Sequence, residues 1–80
     1  MVRIVSARHR KDGRTAVRIW LSEAALVTLR YGSPEWAGSR EVERQAGYSR
    51  LRLPRATRVR AQAVDSAANL GPRVTQKLAD

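Results

Sequence analysis

The chain has 80 residues and a net charge of +9, from 16 lysines and arginines against 7 aspartates and glutamates. That length holds a single core that buries only about 60–65% of the surface the unfolded chain exposes, so one domain spanning 1–80 is expected and a second is excluded. Without cysteine there is no disulfide and no thiolate metal site. No apolar run approaches the ~20 residues that span a bilayer, so no membrane span is expected.

A strongly basic surface attracts polyanions and makes association salt-sensitive. Only Lys11 and Lys77 are lysines, alanine is abundant and phenylalanine is absent. A GC-rich genome also produces that bias, so charge alone does not establish a nucleic-acid partner.

From the N-terminus, "RIVSARHRK" and "RTAVRIWLS" flank Asp12-Gly13, a pair suited to the positive backbone angles of a hairpin turn. The opening "MVRIVSARHRKDG" is too broken by arginine to read as a signal peptide. The chain is thus expected to be either cytoplasmic or a module cut from a longer secreted one. Val17, Ile19 and Leu21 alternate with Arg18, Trp20 and Ser22, which a strand places on opposite faces. "SEAALVTLRYGSP" opens like a helix. Val27, Leu29 and Tyr31 nevertheless alternate with Thr28 and Arg30, and the stretch predicts a strand of about six residues.

The stretch "SPEWAGSREVERQAGYS" is the most irregular. It reads either as two helical turns ended by Gly47 or as an irregular connection with one short strand around Val42. Within it, Trp36 is expected to plug one end of the core. Leu51 and Leu53 then alternate with Arg50 and Arg52, and "RVTQKLAD" reads as a last strand.

"ATRVRAQAVDSAANLGP" has two readings. As a helix capped by Thr57 and stopped by Gly71-Pro72, it would make the protein a small basic α+β nucleic-acid binder. As a strand, Val59, Ala61 and Ala63 share one face and residues 65–72 form the following turn. Most segments have period two, with turn residues about every ten positions. The strand reading agrees with them, and an all-β antiparallel sandwich of about seven strands is predicted.

"RTAVRIWLSEAALVTLRYG" followed by "GYSRLRLPRATRVRAQAVDSAANLGPRVTQKL" resembles the bacterial immunoglobulin-like and fibronectin type III-like repeats of secreted proteins. The resemblance runs from Arg14 to Leu78. Leu21 to Arg30 matches an "LSxxAxVTLR"-like stretch on consecutive strands, and Ala63, Asp65 and Asn69 match an "A-x-D-x-x-G-N" turn. Ala68 stands where those repeats prefer glycine, and Thr57 where a tyrosine often begins the penultimate strand. The resemblance implies an immunoglobulin-like fold, a place outside the cell or on its surface within a longer chain, and neighbouring domains as partners. It also makes Asp65 and Asn69 turn-shaping residues, in line with the chemistry of short polar side chains. A calcium site at Asp65, Ser66 and Asn69 would need more carboxylates than this stretch supplies.

Little here suits catalysis. His9, the only histidine, reads as a solvated strand residue, and Glu41 and Glu43 as charges on one exposed face. No enzyme activity, cofactor or metal is expected. If the core residues point inward, Trp20, Arg18, Arg50 and Arg52 gather outside one sheet, and Arg30, Arg58, Arg60 and Lys77 outside the other. Tryptophan with arginine suits stacking on sugar rings together with pairing to anionic groups. The competing reading is that arginine stems cover Trp20 and the charges only keep the sheets soluble. The expectation is a non-catalytic spacer or adhesion module whose candidate ligand is an anionic polysaccharide or cell-wall polymer, with nucleic acid as partner under the helical alternative.

Overall fold

The computed structural model describes residues 1–32, 36–65 and 67–78. Seven strands follow one another: β1 Val2–His9, β2 Thr15–Leu21, β3 Ala25–Gly32, β4 Trp36–Arg44, β5 Gly47–Leu53, β6 Arg58–Val64 and β7 Val74–Lys77. They form two antiparallel sheets, one ordered β1-β2-β5 and the other β4-β3-β6-β7. This is an all-β antiparallel sandwich with no helix among the described residues. The basic segment read as either helix or strand is β6, in the middle of the larger sheet. The helical arrangement on which the α+β alternative rested is therefore absent there.

Alternation decides which side of each strand is buried. Val17, Ile19 and Leu21 of β2 and Leu51 and Leu53 of β5 face Val27 and Leu29 of β3 and Val59, Ala61 and Ala63 of β6 across one core. β1 contributes Val2 and Ile4 from its first half and Ala7 from its second. Those positions fall out of step by one residue, and a β-bulge at Val5, between Ile4 and Ser6 in the pairing with β2, absorbs the difference. The bulge turns Val5 outward, where it is 48% exposed.

The hairpin predicted at Asp12-Gly13 is present, with a five-residue loop between the paired ends His9 and Thr15. Gly13 takes φ 84°, and Asp12 Oδ1 accepts a hydrogen bond from the Arg14 amide at 3.0 Å. That bond, with the charges of Arg10, Arg14 and Arg52, holds the Asp12 carboxyl below its usual range. The buried Thr15 hydroxyl accepts from the Ala56 amide at 3.0 Å and so ties the β5–β6 connection to the start of β2. Where a tyrosine corner is wanting, the backbone makes the ties. The Thr57 amide donates to the Gly32 carbonyl at 2.9 Å, and the Leu78 amide donates to the Thr57 carbonyl at 2.7 Å.

Three expectations need correction. The irregular stretch holds a nine-residue strand, β4, paired with β3 from Ala25↔Arg44 to Gly32↔Trp36. Its backbone is held by β3, and Val42 is its apolar side chain against the core. His9 is half-buried at the end of β1, because its register partner is the buried Thr15. Trp36 does not plug the core: a register shift between Tyr31 and Gly32 carries it to the outer face of the larger sheet, among arginines. The expectations for Ser33 to Glu35, for Ser66 and for the last two positions lie outside the described residues.

Candidate ligand-binding surfaces

The β2–β5 pairing sets Trp20 opposite Tyr48, Arg18 opposite Arg50 and Ala16 opposite Arg52. All six point away from the core, since their strand neighbours fill it. The bulge in β1 then places Arg3 opposite Trp20. The outer face of the smaller sheet therefore has an aromatic row, Arg3–Trp20–Tyr48, beside an arginine row roughly 7 Å further along the strands.

The rings are not bare. The Arg3 guanidinium sits 5.6 Å from the Trp20 centroid, and that of Arg18 sits 4.6 Å from the Tyr48 centroid. Tyr48 remains 64% exposed, and Trp20 is half-buried. A depression of about 360 Å³ opens between Arg3, Val5, Trp20 and Tyr48. Stacking holds each guanidinium flat while leaving N–H groups on its edge for an anion. The surface thus joins apolar ring area to fixed cationic forks.

The expected grouping of Trp20, Arg18, Arg50 and Arg52 is present. Sequence reasoning missed Arg3, Val5 and Tyr48. Tyr48 has a readable signal, because it lies two positions before Arg50 in a period-two segment. Arg3 has none, because without the bulge a different β1 residue would face Trp20.

On the larger sheet, Arg30 faces Arg60 and Arg58 faces Lys77. Trp36 collects three of these charges, with guanidinium carbons of Arg58, Arg60 and Arg30 at 4.1, 4.7 and 5.7 Å from its ring centroid. The predicted gathering of these residues is present, with Trp36 added at its centre.

Asp65 is a turn residue. Its Oδ1 accepts from the amides of Ala67 and Asn69, both at 2.9 Å, and its Oδ2 from Asn69 Nδ2 at 3.3 Å. These bonds, the Asn69 amide foremost, hold its carboxyl below the usual range. Donors already occupy the oxygens a cation would need. Glu41 and Glu43 lie exposed on the outer side of β4, opposite Thr28 and Leu26. A concavity of about 630 Å³ is an open groove at one end of the sandwich beside Ala25, Leu26, Val64 and Ala68, away from both aromatic–arginine groups. No protein-family model, curated protein or solved structure matches the chain.

Proposed function

We propose that the chain is a non-catalytic immunoglobulin-like module of a bacterial secreted or cell-surface protein, akin to the repeats its sequence resembles, and that it binds anionic polysaccharide. In this reading neighbouring domains of the parent protein flank it, and the sandwich presents one adhesive face. The observation that carries the reading is the register of β2 and β5, which sets Trp20 beside Tyr48 and Arg18 beside Arg50 on one outward face. A sugar ring offers an apolar C–H face to an aromatic ring, and a uronate or sulfate group on the same residue meets a guanidinium fork. Arg3, Arg50 and Arg52 supply the charge and the two rings supply the footing. A solubilising surface needs dispersed charge, and it has no use for exposed aromatic area centred among the charges.

Titration calorimetry with polygalacturonate, neutral dextran and single-stranded DNA tests the reading. Polygalacturonate is expected to bind, and more weakly as salt rises. Removing the Trp20 ring by Trp20→Ala is expected to weaken it about tenfold, as loss of a stacking contact of roughly 1–3 kcal/mol does. Neutral dextran is expected not to bind. Binding of DNA in preference to polygalacturonate, with the same dependence on Trp20, would replace the glycan with a nucleic acid.

A further inference from the structure

The outer face of the larger sheet has an electrostatic problem. Arg30 and Arg60 are directly opposed on neighbouring strands, and Arg58 and Lys77 are opposed one row away. Like charges so placed repel. Trp36 offsets part of this, since its ring face attracts Arg58, Arg60 and Arg30. A ring quadrupole does not neutralise three charges. The Arg10–Asp12 ion pair lies elsewhere, on the hairpin of the other sheet. The Nε atoms of Arg58 and Arg60 are buried and have no acceptor there. A buried donor without an acceptor typically costs about 1–3 kcal/mol.

Beside the stack lies a small cavity of about 90 Å³, lined by Thr28, Arg30, Arg60, Gln62 and Arg73. Its volume equals that of roughly three water molecules in the liquid. Three guanidinium-bearing chains border it, together with the hydroxyl-bearing Thr28. Gln62 is held in place, donating from Nε2 to the Gly71 carbonyl at 2.9 Å. Stacking on Trp36 fixes Arg30 and Arg60 before any ligand arrives, so little rotamer freedom remains to be lost on binding.

We propose that Arg30, Arg60 and Arg73, with Thr28, form a binding site for a tetrahedral oxyanion, a phosphate or sulfate group. Guanidinium forks pair with such groups two oxygens at a time, and an anion with oxygens in several directions satisfies cations arriving from several directions. A flat carboxylate presents only two oxygens in one plane. The site lies on the outer face of the sheet opposite the Trp20–Tyr48 surface and stands without it. A polygalacturonate strand on the other sheet does not reach it.

The test follows the arginine Nε–H resonances by NMR while sodium phosphate replaces sodium chloride at constant ionic strength. The Arg60 and Arg30 signals are expected to shift and saturate, while that of Arg10, paired with Asp12 on the hairpin, stays put. Arg60→Gln is expected to weaken phosphate binding about tenfold or more, as loss of a hydrogen bond to a charged group does. Arg73→Gln, at an exposed position after β6, is expected to do the same if Arg60→Gln does not fold. Arg50→Gln is expected to leave it unchanged and serves to separate this site from the glycan face. A sulfated oligosaccharide that displaces phosphate from the same resonances would assign the ligand to an ester on a polymer. Failure to displace would assign it to the free ion. Linear, unsaturating shifts, or equal shifts with chloride, would overturn the site and leave the cluster as a stacking contact that only staples β4 to β6.

Discussion

Ala68 lies in the turn after β6 with φ 63°, the one non-glycine residue with positive φ among the described residues. An L-residue there brings its Cβ against the following carbonyl oxygen, at a cost of roughly 1–2 kcal/mol. The conformation is imposed from outside. The Ala68 amide donates to the Asp65 carbonyl at 3.0 Å, and the Asp65 amide donates to the Asn69 carbonyl at 3.2 Å. Replacing Ala68 by glycine removes the clash, and because the side chain is exposed no buried methyl is lost. Against this, glycine makes the unfolded chain freer by roughly 0.4–1 kcal/mol. The net expectation is a gain of about 0.5–1 kcal/mol, which in a domain of this size raises Tm by about 2–8 °C. Urea and thermal unfolding followed by circular dichroism would measure it, with the urea slope unchanged. Ala67→Gly, one residue earlier and without positive φ, is the control and should destabilise by about 0.4–1 kcal/mol. A loss of stability in Ala68→Gly equal to that in Ala67→Gly would refute the account of the turn.

Other expectations rest on single contacts. Thr15→Val keeps the shape but strands the Ala56 amide in the interior, and should lower unfolding stability by about 1–3 kcal/mol, whereas Thr15→Ser should recover most of it. A Cβ on Gly38 would come within 2.7 Å of the Tyr31 ring. Gly38→Ala should therefore force the ring aside and cost about 1–3 kcal/mol in the same denaturation assay. Asp65 and Asp12 have carboxyls depressed below 3.8 in the folded state. Their contribution is thus complete above the ordinary aspartate range and is lost as pH falls through the folded values. Asp65→Ala should lower stability at neutral pH and flatten the fall between neutrality and acid in a pH series of urea midpoints. An acid limb as steep as that of the parent would contradict the assignment.

The sandwich was legible where strands have one buried and one solvated face. Val17-Ile19-Leu21, Leu51-Leu53 and Val59-Ala61-Ala63 each show period two, and each lies as that period requires. β4 was illegible because it is an edge strand whose inward apolar signal is Val42, so its conformation comes from pairing with β3 and not from its own pattern. The outward positions of Trp20, Arg18, Arg50 and Arg52 followed from the same alternation. The residues around them did not, because cross-strand neighbours depend on register. One bulge at Val5 decides that Arg3 covers Trp20, and one shift at Gly32 decides that Trp36 joins Arg58 and Arg60. Such irregularities arise from the fit between strands, and no local stretch of the chain carries them.

The most direct measurement of the central claim is the pair of indole Nε1–H resonances followed by NMR as polygalacturonate is added. The account predicts that the Trp20 resonance shifts and saturates while that of Trp36, on the opposite sheet, stays in place. Movement of Trp36 alone, or of neither, would contradict the assignment of the glycan surface to the β1-β2-β5 sheet.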